Sequence, residues 1–173
     1  MRTAAMLAAL AAALVLQTTV SQFFVGGRLA LDLVLVAVVY AALAAGPAAG
    51  LIAGTIGGLL QDALSGGIIG IGGLAKTVVG FLVGLVGAQF ILSSAVPRFV
   101  VFVLATVVHA ACLHGVYALL GGARAAALPY GEIALQGVAN GVVGLVVFQL
   151  VEALPGRLER RRADRAYGRH PLR

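Results

Sequence analysis

The sequence contains no tryptophan, a single cysteine and few charged side chains. Charged residues make up 10% of the 173 positions, whereas they make up about a quarter of a typical soluble domain. A soluble protein with so few charges could not cover its surface in water. Hydrophobic residues fill 61% of the chain, and its mean hydropathy is +1.07. These proportions predict an integral membrane protein, which presents apolar side chains to lipid.

The signals of an enzyme are also missing. The lone cysteine, Cys112, excludes an intrachain disulfide, and the sequence contains no GxSxG, HExxH, Walker A or paired-cysteine motif. His109 and His114 are five residues apart, whereas metal ligands on one helix favour spacings of three or four. The glycines at 66–73 follow no predicted buried strand, so they do not form a dinucleotide-binding loop. We therefore predict no catalytic residue, no metal and no cofactor.

Apolar runs of about 20 residues, the length of a helix that crosses a bilayer, recur along the chain. Six such runs lie at 3–24, 29–45, 47–65, 74–92, 97–120 and 130–152. Gly46-Pro47 alone separates the second run from the third, so these two could form a tight helical hairpin. Pro155-Gly156 is expected to end the sixth run. The prediction is an all-α membrane protein of about six transmembrane helices in one compact bundle at 1–153, followed by a polar tail at 154–173.

The distribution of arginine predicts that both termini face the cytoplasm, where basic loop residues concentrate. With six spans, one side carries Arg2, Arg98 and the seven arginines of the tail, and the other carries only Arg28 and Arg124. Five spans would leave Arg2 outside, which the same rule disfavours. Arg2 before an apolar stretch also resembles the start of a signal peptide, but no clear cleavage site follows, so we expect an uncleaved helix.

The tail is strongly basic, with seven arginines against Glu159 and Asp164. We expect it to fix the orientation of the chain and to contact anionic lipid headgroups. Binding to a specific cytoplasmic protein is the alternative, and no nucleic-acid partner is predicted. The residues expected to contact lipid are Arg157, Arg160, Arg161, Arg162 and Arg165.

Glycines recur every four positions in the third and fourth runs, a pattern that marks close contact between helices. Asp62 lies near the end of the third run, and an ionisable residue inside a membrane is a functional candidate by default. Lys76 could pair with Asp62 or share a polar network with it; a cap at the outer interface and proton or substrate handling also stay open for Asp62. The residues predicted to form a helix-packing or partner interface are Gly50, Gly54, Gly58, Asp62, Gly66, Gly70, Lys76, Gly80 and Gly84.

Two further polar patterns occur within the apolar runs. Glu132, Gln136 and Asn140 follow one another at four-residue steps and predict a polar edge on the sixth helix. Hydrogen bonding between helices is the expected role of this edge, and a ligand pocket near the outer face is the alternative. Arg28 and Asp32 are also four residues apart, which suits a weak interfacial ion pair.

The segment around Asp62 reads Gly57-Gly58-Leu59-Leu60-Gln61-Asp62, then Gly66, Gly70 and Leu74. This order resembles the signature G-x-x-x-D-x-x-x-x-x-x-x-G of the MreD family of bacterial rod shape-determining proteins. Upstream, Leu31-Asp32-Leu33 is similar to a P-D-L element of the family, with leucine in place of proline, and Leu16-Gln17 also fits. The resemblance covers about residues 10–90 well, and the rest of the chain mainly by length and topology.

This resemblance implies a non-enzymatic scaffold of the cell-wall elongation machinery in the bacterial inner membrane. It implies binding to MreC and, directly or through MreC, to the elongasome glycosyltransferase and transpeptidase, with the actin-like filament protein as a further candidate. The implied fold is similar to that of the substrate-binding subunits of energy-coupling-factor vitamin transporters, and such a subunit is the alternative function. The absence of tryptophan and an aromatic content of 6% favour the scaffold.

Overall fold

A computed structural model describes residues 2–23, 31–66, 68–90, 94–121 and 129–167 of the chain. These residues form six α-helices and no strand, which confirms the all-helical prediction. Among the described residues, three helical stretches are long and apolar enough to cross a membrane: Ile71–Gln89, Ala95–Leu119 and Tyr130–Val151. The helices are α1 (Arg2–Phe23), α2 (Leu33–Ala45), α3 (Pro47–Ser65), α4 (Ile71–Gln89), α5 (Ala95–Leu119) and α6 (Tyr130–Tyr167).

The short helix α2 lies at the centre of the bundle and contacts all five other helices. A helix that is apolar on every side must be enclosed by its neighbours, and α2 contains no charged residue. The other helices surround it in the order α1, α3, α4, α5 and α6. Within the described residues α1 and α6 make no contact, so the ring around α2 is open between them. The buried residues of α2 are Val34, Leu35, Val36, Val38, Val39, Ala41 and Ala42.

Helix α2 begins later than the predicted run at 29–45, because Asp32 caps it. The Asp32 Oδ1 atom accepts a hydrogen bond of 2.9 Å from the backbone N–H of Leu35, which satisfies one of the free donors at a helix start. The Gln17 side chain of α1 accepts a second, of 3.2 Å, from the N–H of Val34. Positions 29 and 30 lie outside the described residues. The cap therefore ties the start of α2 to the end of α1.

Helices α2 and α3 form a tight hairpin, the arrangement expected from Gly46-Pro47. Gly46 is the only residue between them, and its φ of +88° lies in the region that favours glycine. Pro47 occupies the first position of α3, where its missing N–H has no partner to lose. Because the connection is a single residue, the end of α2 and the start of α3 are adjacent, and the two helices pack against each other.

The prediction that Pro155-Gly156 ends the sixth helix was wrong. Helix α6 continues to Tyr167 and is 38 residues long. The residues that follow Gly156 are mostly arginine, leucine, glutamate and alanine, which favour helix. A proline in a helix removes one backbone hydrogen bond and crowds the preceding turn, yet the helix here continues through it. The polar tail thus starts as a helical extension of α6.

Candidate functional site

Helices α3 and α4 pack backbone against backbone along a line of glycines, which we call the glycine seam. A Cβ atom at Gly50 would overlap the carbonyl oxygen of Gly80, and one at Gly54 would overlap that of Lys76. The hydroxyls of Thr55 and Thr77 join across the same contact at 2.8 Å. The close pairs of the seam are Gly50 with Gly80, Gly54 with the Lys76 backbone, Gly58 with Gly73, and Gly84 with Pro47.

Two of the glycines predicted for this interface lie outside the seam. Gly66 and Gly70 flank the loop between α3 and α4, with φ values of +65° and +107°. A Cβ atom at either position would meet nothing within 4 Å. Glycine is therefore needed at these positions for the backbone conformation of the turn, and not for close packing.

Asp62 closes the same turn. Its Oδ2 atom accepts hydrogen bonds from the backbone N–H groups of Gly70, at 2.9 Å, and Gly73, at 3.0 Å. A carboxylate is well placed there, because the first N–H groups of a helix have no partner within the helix. Each residue of the sequence signature thus has its own structural role. Gly58 allows the close contact with Gly73, Asp62 caps the start of α4, and Gly70 adopts the left-handed conformation of the turn.

Lys76 pairs with Asp32, and not with Asp62 as the sequence suggested. Its Nζ atom lies 2.8 Å from Asp32 Oδ2, and the two side chains are 3% and 6% exposed. The same ammonium lies 3.1 Å from His109 Nε2, and since an ammonium can only donate, the histidine accepts. The ion pair expected between Asp32 and Arg28 falls partly outside the described residues, because Arg28 is not among them. Asp32 has its observed partner in α4.

The ion pair belongs to a larger polar network of Asp32, Lys76, Thr106, His109 and Asn140, all of them buried. Asn140 Oδ1 accepts a hydrogen bond of 3.0 Å from the backbone N–H of Asp32. Asn140 Nδ2 donates to Thr106 Oγ1 at 3.1 Å, and this hydroxyl donates to the Phe102 carbonyl at 2.9 Å. Polar groups buried in a bundle are stable when they bond one another, so this network holds α2, α4, α5 and α6 together.

A polar cavity of about 550 Å³ adjoins this network. It lies where α1, α3 and α5 end and where α2, α4 and α6 begin; five helices contribute to its wall, and Leu31 and Asp32, just before α2, complete it. Two members of the predicted polar edge, Glu132 and Gln136, line the cavity, whereas the third, Asn140, is part of the buried network. The side chains of the five tail arginines lie outside the described residues. In the described part of the chain, no three His, Cys, Asp or Glu residues are placed to hold a metal ion.

Sequence reasoning did not identify Asp32 and His109 as the partners of Lys76. A signal was present, because Lys76 is the only lysine of the chain and lies in an apolar run, where a charge needs an opposite charge beside it. Three carboxylates near helix ends could have supplied that charge: Asp32, Asp62 and Glu132. Asp62 was favoured because it is the carboxylate nearest to Lys76 in the sequence. In the folded chain, Asp32 is the carboxylate that pairs with Lys76.

The comparisons with known proteins agree with the sequence motif. The family model of the rod shape-determining protein MreD matches residues 2–154 of the chain. These residues include the glycine seam, the polar network and the wall of the cavity. No curated protein and no solved structure matches the chain. The expected likeness to energy-coupling-factor subunits therefore stays a prediction.

Proposed function

Because the chain belongs to the MreD family of rod shape-determining membrane proteins, we propose that it is a non-enzymatic scaffold that binds MreC in the bacterial inner membrane. The observation that carries this proposal is the family match over residues 2–154. The glycine seam and the polar network support it, since both hold the helices of the bundle together. Through MreC, the scaffold would reach the glycosyltransferase and transpeptidase of the elongation machinery.

The glycines of α3 and α4 were predicted to form a helix-packing or partner interface. A partner helix cannot pack on the glycine seam, because α3 and α4 already contact each other along it. The opening between α1 and α6 is the better candidate for the partner surface. Leu33, Ala37 and Tyr40 lie on one face of α2 and are only half-buried, although most of this helix is fully buried. Leu33 and Ala37 pack beside residues of α1, and the Tyr40 ring meets that of Phe148 in α6. We propose that a transmembrane helix of MreC covers this face.

We further propose six spans with both termini in the cytoplasm, as the distribution of arginine favours. The cavity then lies at the outer side of the membrane, because it lies at the end of α1 and at the start of α6. The arginine-rich extension of α6 lies at the opposite, cytoplasmic side, where it would contact anionic lipid headgroups.

Single cysteines test this orientation in a Cys112→Ala background. Gly27→Cys and Gly122→Cys are expected to react with an impermeant maleimide in intact cells. Ala163→Cys, in the cytoplasmic tail, is expected to react only after the membrane is permeabilised. Labelling of Ala163→Cys in intact cells would reverse the proposed orientation.

Copurification tests the scaffold and its partner surface together. The tagged chain, extracted in a mild detergent, is expected to retain MreC. Ala37→Trp places a bulky ring on the half-buried face of α2 and is expected to reduce retained MreC about tenfold or more, which corresponds to about 1.4 kcal/mol of binding free energy. Ala111→Trp, on the exposed face of α5, is the matched control and should retain MreC fully.

Two results would contradict these proposals in different ways. A wild-type chain that retains no more MreC than an unrelated tagged membrane protein would reject the scaffold. An Ala37→Trp chain that retains as much MreC as Ala111→Trp would place the contact on another face. Both variants must elute as folded, monodisperse protein before they are compared.

A further inference from the structure

The polar cavity at the outer ends of the helices has the dimensions of a binding site. Its volume of about 550 Å³ lies within the range of pockets that enclose small molecules. A membrane bundle that only needs to pack would fill such a space with apolar side chains, because unpaired polar groups are costly there. Here the wall instead carries carboxylates, amides and histidines.

The charges in the wall do not balance. Among the described lysines and arginines, only Lys76 lines the cavity. Its Nζ atom forms an ion pair with Asp32 Oδ2 at 2.8 Å and a hydrogen bond with His109 Nε2 at 3.1 Å. Two other carboxylates, those of Asp62 and Glu132, line the same space. In the described part of the chain neither forms an ion pair. The cavity therefore has a negative charge that the described residues do not neutralise.

The wall offers several hydrogen-bond acceptors beside the amide groups of Gln17, Gln61 and Gln136. Both bonds of Asp62 go to its Oδ2 atom, which leaves Oδ1 able to accept. His114 Nδ1 donates to the carbonyl of Ala110 at 3.0 Å. The buried Oε1 atom of Gln61 has no partner among the described residues. A ligand that suits this wall carries positive charge and several donors.

We propose that the cavity binds a primary ammonium group. An ammonium has one positive charge and three donors, which matches the carboxylates of Asp62 and Glu132 and the acceptors of the wall. A ligand whose only charge is negative would meet like charge. Two sources can supply the group: a free aliphatic amine from the outer side, or the headgroup of an aminophospholipid of the surrounding bilayer. This inference goes beyond the scaffold role and does not depend on MreC.

Calorimetry on the chain in phosphatidylcholine nanodiscs tests the free amine, because this lipid has no primary amine. Saturable binding is expected for 1,5-diaminopentane. Pentane-1,5-diol and glutarate have similar lengths but no positive charge, and neither is expected to bind. The lipid arm adds phosphatidylethanolamine to the nanodiscs. If the headgroup occupies the cavity, the apparent Kd of the diamine rises, and native mass spectrometry shows the retained lipid.

Glu132→Gln removes one of these two carboxylates with little change of shape. It is expected to weaken ammonium binding about tenfold or more, because it removes a charge-assisted hydrogen bond. Glu152→Gln is the matched control and should leave binding unchanged, since this position lies about 30 Å further along α6 at 1.5 Å per residue. Thermal unfolding without ligand should be the same for both variants, which separates a lost site from a lost fold.

Several outcomes would overturn the proposal. The first is that neither amine source binds saturably, and the second is that the diol or glutarate binds as tightly as the diamine. An equal loss of binding in Glu152→Gln would place the effect outside the cavity. If neither amine binds but Glu132→Gln abolishes MreC retention, the cavity accepts a basic segment of the partner protein instead. Because the nanodisc assay contains no MreC, its failure is distinct from failure of the scaffold proposal.

Discussion

Lys76→Met is expected to destabilise the bundle by about 3–5 kcal/mol, the usual cost of leaving one member of a buried ion pair alone. The Lys76 ammonium lies 2.8 Å from Asp32 in a site where both side chains are buried. Methionine fills a similar volume but cannot donate to Asp32 or to His109. The remaining carboxylate is then enclosed without an opposite charge. Unfolding in mixed micelles with increasing dodecyl sulfate measures the loss as a lower midpoint.

The double variant Asp32→Asn/Lys76→Met is the control for this prediction. It removes both charges, and the asparagine side chain can still cap the N–H of Leu35. Replacing a complete buried ion pair is much less costly than breaking it, so the double variant should be more stable than Lys76→Met. The difference gives the coupling energy of the pair. Equal stability of the single and double variants would show that the pair makes no net contribution.

Gly54→Ala is expected to weaken the contact between α3 and α4 by about 1–3 kcal/mol, the typical cost of overpacking a close contact. The added Cβ would overlap the carbonyl oxygen of Lys76. This oxygen belongs to the backbone of α4, so it cannot move away by a change of rotamer, as a side-chain atom could. The two helices must move apart, and the displaced segment carries Lys76 itself. The same substitution therefore also disturbs the ion pair with Asp32. The dodecyl sulfate midpoint measures this change too.

Gly115→Ala provides the matched control. Gly115 lies within α5, where an added Cβ meets nothing within 4 Å. Alanine favours helix over glycine by up to about 1 kcal/mol, so this variant should be as stable as the wild type or more so. If Gly54→Ala were equally harmless, α3 and α4 would not be in the close contact that defines the glycine seam.

The helical class, the helix order and the tight hairpin follow from patterns within single segments. Apolar length predicts each helix, and Gly46-Pro47 is a strong local break between α2 and α3. The four-residue glycine spacing predicted close packing, and the structure places it at the contact of α3 with α4. Local patterns were weaker at helix ends: α2 begins late at the Asp32 cap, and α6 runs past Pro155.

The sequence by itself determined that this is a helical membrane protein of the MreD family, because composition, periodicity and a short motif are properties of neighbouring residues. Only the tertiary structure decided that Lys76 pairs with Asp32, that Asn140 bonds the backbone of Asp32, and that Glu132 faces a shared cavity. Each of these contacts joins different helices. A buried charge is stabilised by whichever opposite charge the packing brings within reach, and that choice depends on how the helix ends meet in space.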